Sequence, residues 1–514
     1  MAGIEQQPRA SAKLTMLQFL GVAVFASMLG GCTVVGPDYV PPDTEVPDTW
    51  TQVLDQGLST APVERVEWWR VFDDPVLNEL VANARRNNNT LEIAGLRVLE
   101  ARAQLGIAQG LQFPQAQAAS GEASYVSPPE NTGIDAGYWQ LGLGAGISWE
   151  IDFWGRFKRG IEAADAAYLA SIAGFDQAQV LLASAVVGTY TTIRSLEEQL
   201  AIARQNVAIQ QRSYDITEVL YRNGSDSELD MQQALTLLLS TQATIPALET
   251  TLVRARNALS VLLGEAPGRL VTQLERGGGL PDVPADIAIG LPADLLRQRP
   301  DVRQAEYLAM AQNAAVGLAA ADLYPSFSLT GSIGVASNTL GDADFGDLFS
   351  SDALTWSVGP SFIWPFLNYG RIKNNVRVQD ARLQQALVNY RETVLQSARE
   401  AEDAMATFIG ARQQHEILEK TVSSAIRSNE LATLRYREGF SDYERVLNSQ
   451  QALFAQQQRY ITNQGDIVLA LVQLFTALGG GWETREGIPE LDPKTLELMR
   501  ERTDWGDLIP AGAN

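Results

Sequence analysis

The chain has 514 residues, with one cysteine, one histidine, 39 Lys and Arg and 61 Asp and Glu, which gives a formal net charge of −22 at pH 7. Nucleic-acid binding is not expected of so acidic a chain, because it needs a basic patch that releases counterions. A zinc site of the usual cysteine/histidine kind and a histidine relay are excluded too, since one residue of each type cannot assemble either.

Residues 1–31 are typical of a lipoprotein signal peptide. A basic residue precedes an apolar run over 14–29, and the motif LGGC ends at Cys32. The run has about 16 residues, whereas a membrane-spanning helix needs roughly 20, so we expect its removal. The motif resembles the bacterial lipobox, which predicts lipid on the sulfur and the amine of Cys32 and hence stable anchoring. Thr33, in place of the Asp that tends to retain lipoproteins at the inner membrane, favours the outer membrane. A buried free thiol is the alternative.

One unit occurs twice in the chain. YRNG at 221–224 recurs as YREG at 436–439, WGR at 154–156 as YGR at 369–371, and LG at 263–264 as LG at 478–479, all 215 positions apart. FP at 113–114 and YP at 324–325 match at a spacing of 211. Such duplication predicts two tandem structural repeats. We place an N-terminal extended segment at 32–73, the first repeat at 74–268, the second at 292–480 and a C-terminal tail at 481–514.

The first repeat opens with a predicted helix over 74–112, which ends before Pro114 because proline and the residue before it disfavour helix. A strand over 115–126 and a loop rich in Pro, Gly and Asn follow. From 139 to 153, apolar and polar residues alternate, which predicts a strand with one apolar and one polar face. The second repeat shows the same alternation in strands over 326–336 and 354–366.

Tryptophans stand near the ends of these strands, at Trp139, Trp149, Trp356 and Trp364. Aromatic residues at strand ends suit the interface belts of a transmembrane barrel, and small polar residues on the opposite face suit a water-filled lumen. These four are therefore candidate membrane-interface aromatics. A soluble sandwich, whose apolar face would be buried in a protein core, is the alternative.

Each repeat continues with a very long helical run, over 157–221 and 372–437, and a return helix, over 226–263 and 441–478. At 1.5 Å per residue, some 65 residues reach roughly 100 Å. Two apolar stripes of seven-residue period lie on opposite flanks of the first run, which predicts a neighbouring helix on each side, as in a closed ring of helices.

Glycines mark the turns between the long and the return helices. We expect Gly224 and Gly439 to end the long helices in the left-handed conformation, and Ser225 and Ser441 to cap the helices that follow.

Four strands per chain cannot close a barrel, because the smallest membrane barrels have about eight. An open sheet edge cannot lie in lipid, where its backbone groups would be unsatisfied. The chain is therefore expected to share a barrel with copies of itself. Three copies would give about 12 strands, and two copies would also close.

The chain resembles the outer membrane factor family, the TolC-like channel-tunnels of Gram-negative bacteria, and most closely the lipoprotein branch that serves RND-type efflux systems. The resemblance rests on CTVVGPDYVPP, WWRVFDDPVLNELV, LLRQRPDVRQAEYLAMAQNAAVGLAAADLYP and the two Tyr-x-x-Gly turns. It implies an α+β membrane protein: a trimeric channel-tunnel with a 12-stranded β-barrel, four strands per chain, and a long α-helical barrel built from two tandem repeats.

The same resemblance implies a function. The chain would be the outer-membrane channel of a tripartite efflux pump, a passive exit duct for small molecules such as drugs, toxic compounds or metal ions. It would be lipid-anchored and membrane-spanning, with a large periplasmic portion, and without enzymatic activity or any cofactor beyond the covalent lipid, a palmitate, on Cys32. The alternatives are the outer-membrane duct of a type I protein secretion system and a non-conducting structural lipoprotein.

The implied partners are two further copies in a homotrimer, a periplasmic adaptor (membrane fusion) protein, an inner-membrane RND transporter and outer-membrane lipid. In the family the periplasmic helix tips form the gate and carry acidic residues. Asn448 departs from the pattern, because the family often has Asp there. Carried over position by position, the tip turns match at Tyr221, Gly224, Tyr436 and Gly439, and an acidic tip position matches at Asp230. The candidate gate residues also include Asp442, a nearby acid, and Asn448. For each, a solvated helix end is the alternative.

Overall fold

The computed structural model describes residues 34–42, 49–51, 57–59, 61, 65–129, 137–268, 274, 276, 278–290, 296–339, 345–482 and 491–509. The signal peptide and Cys32 lie outside these residues. The chain divides into two compact units. The first, here the sheet unit, comprises Met1–Pro41, Ala101–Tyr168 and Tyr307–Val388. The second, here the helical unit, comprises Pro42–Glu100, Leu169–Glu306 and Asn389–Asn514.

Eight α-helices occur among the described residues, in the order expected for two repeats. Their bounds are α1 Pro75–Asn87, α2 Asn89–Gly110, α3 Arg156–Arg222, α4 Glu228–Leu262, α5 Pro300–Ala321, α6 Arg371–Arg437, α7 Tyr443–Ala477 and α8 Pro493–Arg502. The two long helices, α3 and α6, have 67 residues each, and the return helices α4 and α7 have 35 each. Among the described helices, only α3 contains a stretch apolar enough to cross a membrane, and 56% of that stretch is buried, as in a core helix.

The prediction of one helix over 74–112 is wrong, because the chain leaves the helix at Asn88. This residue has extended backbone angles. Its Oδ1 accepts a hydrogen bond from the amide of Leu91 at 2.9 Å, and its Nδ2 donates to the carbonyl of Leu262 at 2.9 Å. Asn88 therefore caps the start of α2 and bonds that start to the end of α4. With helical backbone angles it would do neither.

The predicted caps of the return helices are also wrong. Ser227, rather than Ser225, precedes α4, and its Oγ accepts a hydrogen bond from the amide of Asp230 at 3.2 Å. Asp442, rather than Ser441, is the N-cap residue of α7 and makes no capping bond through its side chain. Each turn is longer than predicted, because extended residues follow the left-handed glycine before the next helix begins. Gly224 and Gly439 do have the expected positive φ, 72° and 76°.

The sheet unit is built on four antiparallel strands, β2 (Ala116–Val126), β3 (Tyr138–Ile151), β5 (Ser326–Asn338) and β6 (Leu354–Ile363), in the order β2-β3-β5-β6. The central pairing of β3 with β5 joins the two repeats. In the helical unit, β1 (Leu58–Ser59) and β4 (Ile287–Ala288) form a short parallel pair.

The register gives this sheet one apolar and one polar face, because directly paired residues of neighbouring strands point to the same side. Trp149 pairs with Leu329, and Ile333 pairs with Trp356. On the opposite face, Ser120 pairs with Gly144, and Ser332 pairs with both Gly146 and Ser357.

No described part of the chain covers the apolar face. Trp356 is 71% exposed and Phe362 is 67% exposed. In a soluble sandwich these side chains would be buried against a second sheet. The sandwich alternative is therefore inconsistent with the structure.

The hydrophobic core lies mainly among the helices of the helical unit. Leu77 and Leu80 of α1 are almost fully buried. The ring of Trp68 stacks on that of Phe475 in α7 at 5.1 Å between centroids. A chain segment before the first repeat thus packs against the last helix of the second repeat.

Candidate functional site

The polar face of the sheet carries small side chains, mostly Gly, Ala, Ser and Thr. Several of its hydroxyls bond to the next strand: the Oγ atoms of Ser332 and Ser357 lie 2.8 Å apart, and Thr330 Oγ1 donates to the carbonyl of Gly359 at 3.2 Å. The charged residues on this face are Glu122 and Glu150. The face is therefore hydrophilic and mildly acidic, as the wall of an aqueous lumen would be.

Trp149 and Trp364 occupy the same place in the two repeats. The indole Nε1 of Trp149 donates to the carbonyl of Gln112 at 3.1 Å, and that of Trp364 donates to the carbonyl of Leu323 at 3.2 Å. Each tryptophan thus bonds to a backbone carbonyl just after the helix that precedes the first strand of its repeat, α2 or α5. Its ring stays partly exposed. An indole whose N–H is satisfied and whose ring faces outward suits a membrane interface.

The other two candidate interface aromatics have different surroundings. Trp139 packs edge-on against Tyr125 at 5.6 Å between ring centroids. Trp356 is the third residue of β6, pairs with Ile333 and is the most exposed of the four. The apolar face of the sheet carries all three of the strand tryptophans Trp139, Trp149 and Trp356.

The turn at 223–227, here the first tip turn, packs against the end of α6. The hydroxyl of Tyr436 donates a hydrogen bond to Asp226 Oδ2. The ring of Tyr436 lies edge-on to that of Tyr443 at 5.4 Å. Burial and the Asp226 carboxylate both raise the pKa of Tyr436, so that its hydroxyl stays a donor at any physiological pH. This contact joins the turn of the first repeat to the second repeat.

Asp230 lies next to this contact, in the first turn of α4. Ser227 Oγ donates to Asp230 Oδ2 at 2.6 Å. Desolvation and the neighbouring Asp226 carboxylate raise the pKa of Asp230 above its ordinary value, against the opposing effect of the Ser227 hydrogen bond. Two carboxylates in one small cluster repel each other, and this repulsion is relieved when one takes up a proton.

The remaining candidate gate residues lie outside this cluster. Tyr221 is 38% exposed. Asp442 is exposed, with its Oδ1 3.8 Å from Arg445 Nε, and Asn448 is exposed on α7. The structure thus brings together Tyr436 and Asp230, and adds two residues that sequence reasoning missed, Asp226 and Tyr443.

A signal for one of the missed residues was present in the sequence. Tyr443 follows Tyr436 by seven positions and is buried in a hydrophobic cluster with Ala234 and Val446. Asp226 had no such signal, because its role depends on how the two repeats pack together.

The profile of the family described as "Outer membrane efflux protein" matches residues 80–265 and 291–480, one match in each repeat. The chain belongs to this family.

Curated relatives of the outer membrane efflux protein family match over almost their whole length. The chain is 31% identical over 458 residues to "Probable outer membrane lipoprotein SilC" of Salmonella typhimurium, which covers 88% of this chain and 97% of that protein. It is 31% identical over 484 residues to "Antibiotic efflux pump outer membrane protein ArpC" of Pseudomonas putida, with 91% and 96% covered.

Solved structures show the same fold. The outer-membrane channel OprN matches with a TM-score of 0.81 and 31% identity, covering 87% of this chain and 99% of that chain. A crystal structure of CusC matches with a TM-score of 0.76 and 30% identity, covering 87% and 100%. The predicted fold, a channel-tunnel with four strands per chain built from two tandem repeats, is confirmed. The chain is an outer-membrane efflux channel, and its family is one of ducts rather than enzymes.

Metal-binding chemistry has little support in the part of the chain that the structure describes. Those residues include no group of three or more His, Cys, Asp or Glu side chains that could hold a metal ion. His415 stacks on Tyr460 at 4.8 Å between ring centroids, and its Nδ1 lies 3.1 Å from Asn463 Oδ1. It is a packed residue, as its helical, glutamine-rich context indicates.

Proposed function

We propose that three copies of the chain form one outer-membrane exit duct of a tripartite efflux pump, with a periplasmic adaptor and an inner-membrane RND transporter as partners. The observation that carries the proposal is the four-stranded sheet: one exposed apolar face, one polar face and two edges, β2 and β6, with no partner strand among the described residues. Unpaired strand edges cannot lie in lipid. Closure with neighbouring copies satisfies them.

The duplication predicts a register for this closure. The pairing of β3 with β5 joins the first repeat to the second, and an equivalent pairing of β6 with β2 of the next copy would join the second repeat to the next first repeat. Ile147 pairs with Gly331. Their counterparts are Phe362, 215 positions on, and Gly121, 210 positions back, because Ser326 pairs with Ile363 in the second repeat as Ala116 pairs with Ser148 in the first. Likewise Gly144 pairs with Gly334, and their counterparts Gly359 and Ser124 would pair between copies.

Double-cysteine crosslinking tests this closure directly. We expect Gly359→Cys with Ser124→Cys to form intersubunit disulfides on oxidation, because antiparallel partners bring Cα atoms within about 5.5 Å. The matched control, Gly359→Cys with Ala123→Cys, places the two thiols on opposite faces and should not crosslink. Lipid on Cys32 would leave no native thiol to compete.

The size of the crosslinked product decides the copy number. A covalent product of three chains on non-reducing gels supports the proposal. A product that stops at two chains would show a dimer, and crosslinking by the control instead of the test pair would show a different register.

We infer that the cluster of Tyr436, Asp226, Asp230 and Tyr443 holds the tip closed. A hydrogen bond to an ionised acceptor is one of the stronger single contacts that a solvated turn can make, about 1.5–3 kcal/mol. A ring of like charges at a pore mouth also favours cations. Opening would then require the adaptor to supply contacts that compete with those between Tyr436 and Asp226.

The cargo is proposed by class only. The names of the relatives point to small solutes: ArpC is named for antibiotic efflux, and CusC of Escherichia coli is named a cation efflux system protein. Purified trimers should conduct ions in planar bilayers. Trimers that insert without conducting would favour the structural lipoprotein, and loss of protein export rather than of drug or metal resistance on deletion would favour a type I secretion duct.

Lipid on Cys32 is part of the proposal. SilC, a relative of similar length, is named a lipoprotein. Labelled palmitate should enter the wild-type chain and not Cys32→Ser. Label in both chains, or in neither, would contradict the assignment.

A further inference from the structure

The segment Val34–Asp38, here the anchor segment, is held against the sheet unit by a set of dedicated contacts. The amide of Val35 donates to the carbonyl of Trp154 at 3.0 Å, at the turn between β3 and α3. Asn313 Nδ2, a buried side chain of α5, donates to the carbonyl of Pro37 at 2.9 Å. The anchor segment thus contacts both repeats at once.

Arg159 in the first turn of α3 supplies the centre of this contact. Its Nε donates to the carbonyl of Val35 at 3.2 Å, and its Nη2 donates to the carbonyl of Gly36 at 3.1 Å and to Asp38 Oδ1 at 2.9 Å. Its Nη1 donates to Glu162 Oε2 at 2.7 Å. The side chain of Arg159 is 5% exposed. Burying a charge is costly unless it is paired and hydrogen-bonded, and most of the partners here belong to the anchor segment.

The backbone of the segment fits the surface closely. Gly36 has φ 92°, and a Cβ there would lie 2.4 Å from the Cα of Gly317. A Cβ on Gly317 would in turn lie 2.8 Å from Arg159 Nε. Neither position leaves room for a side chain.

The second repeat shows that these residues are not a requirement of the repeat. The counterpart of Arg159, 215 positions on, is Asn374, and the counterpart of Trp154 is Tyr369. Tyr369 is 98% exposed. In the second repeat, this turn between strand and long helix forms although no described segment covers it, so the turn itself does not require the contacts around Arg159.

We propose that Arg159, Asn313 and Gly317 form a docking site whose ligand is the chain's own anchor segment, and that docking fixes the lipid-bearing N-terminus at the turn after β3. Val34 follows Cys32 by two residues, so the chain allows at most about 7 Å between their Cα atoms. The anchor is then a fixed part of the base of the sheet rather than a loose tether. The part concerning lipid depends on the proposed lipidation of Cys32.

Hydrogen exchange of the purified full-length trimer in detergent tests the docking. In Arg159→Leu the amides of the anchor segment should exchange at least tenfold faster than in wild type, because Leu keeps much of the apolar stem but donates no hydrogen bond. Arg156→Leu is the matched control: Arg156 lies one turn earlier, its two ion pairs are both at 3.5 Å, and it does not contact the segment. Equal exchange in wild type and Arg159→Leu would overturn the proposal.

A second variant tests the site from the side of the segment. Gly36→Ala should release the segment as well, while leaving every residue of the docking site in place. Protection that survives Gly36→Ala would also overturn the proposal.

The role of docking is separable from that of lipid. In Cys32→Ser the segment should remain protected, because its contacts do not involve the lipid. Arg159→Leu should still incorporate palmitate, but its trimer should dissociate at a lower temperature on gels than the Arg156→Leu trimer. If the Arg159→Leu trimer is as heat-stable as the Arg156→Leu trimer, docking has no role in fixing the anchor. If wild type takes up no palmitate label, the lipidation is contradicted and the docking is not.

Discussion

The two tip turns of this efflux channel have nearly the same sequence and very different surroundings. Tyr436, at the second turn, is partly buried and donates to Asp226. Tyr221, its counterpart at the first turn, is exposed. The difference shows what duplication within one chain achieves. A single chain makes the contact between Tyr436 of its second repeat and Asp226 of its first repeat. The equivalent contact of Tyr221 would need the next copy.

The counterpart of Asp226 identifies that missing contact. It is Ser441, whose Oγ is buried and has no hydrogen-bond partner among the described residues. In a closed trimer, the hydroxyl of Tyr221 would approach Ser441 of the partner subunit. Within the chain, Asp230 lies near Tyr443. Their counterparts in the other repeat are Arg445 and Glu228. By the same correspondence, Arg445 would therefore lie near Glu228 of the partner subunit.

The largest effect is expected from breaking the contact within the chain. Asp226→Ala leaves the Tyr436 hydroxyl without its partner, at a cost of about 1–3 kcal/mol to the closed tip. The open probability of single channels in planar bilayers should therefore rise by roughly tenfold or more. Gln451→Ala, at an exposed position on α7 outside the candidate gate residues, is the control and should behave as wild type. An unchanged open probability in Asp226→Ala would remove the cluster from the gate.

Charge reversal across the seam between copies should have an intermediate effect. Arg445→Glu places two acids together and should raise the open probability a few-fold, since exposed ion pairs contribute about 0.2–1 kcal/mol. Adding Glu228→Arg should restore closure, and high salt should reduce both effects. If the double variant opens more than either single variant, the two residues do not face each other.

The hydroxyl of Tyr221 should matter less than that of Tyr436. Tyr221→Phe removes a neutral hydrogen bond to a serine, about 0.5–1.5 kcal/mol, whereas Tyr436→Phe removes one to a carboxylate. We expect a smaller rise in open probability for Tyr221→Phe than for Tyr436→Phe under identical conditions. Equal effects would mean that the contact within the chain and the contact between copies contribute equally to closure.

The smallest effect concerns pH. The raised pKa of Asp230 means that the packed tip favours the protonated carboxyl, next to Asp226, Tyr436 and Tyr443. The stabilisation is therefore present at low pH and is lost as the pH rises through the raised pKa. As the pH rises through the pKa of Asp230, channel closure should weaken in wild type and should not weaken in Asp230→Asn. A wild-type pH profile that Asp230→Asn leaves unaltered would assign the titration to another group.

Much of the fold could be predicted because its signals are local. The two long helices end within a residue of the predicted bounds, since an unbroken helical run stops at a left-handed glycine in each. The strands follow from strict alternation. The break at Asn88 was missed because a capping asparagine inside a helical pattern leaves the apolar period intact.

The site was harder to predict than the fold. The sequence placed Tyr436 and Asp230 at the tip, but their contact with Asp226 depends on packing between repeats, which periodicity does not report. The docking site could not be predicted from the sequence for a similar reason. Arg159 looks like an ordinary basic residue in a helix, and only the return of the anchor segment across more than a hundred positions gives it its partners.

The small, hydroxyl-rich side chains on the inner face of the sheet have a consequence for transport. Because several hydroxyls are already bonded to the adjacent strand, a passing solute would meet few polar groups on the described strands that could hold it, apart from the carboxylates of Glu122 and Glu150. Residence on the wall should be brief, and passage should be limited by the diffusion and girth of the solute rather than by recognition. A lining of this kind would suit a duct that passes solutes of different chemistry.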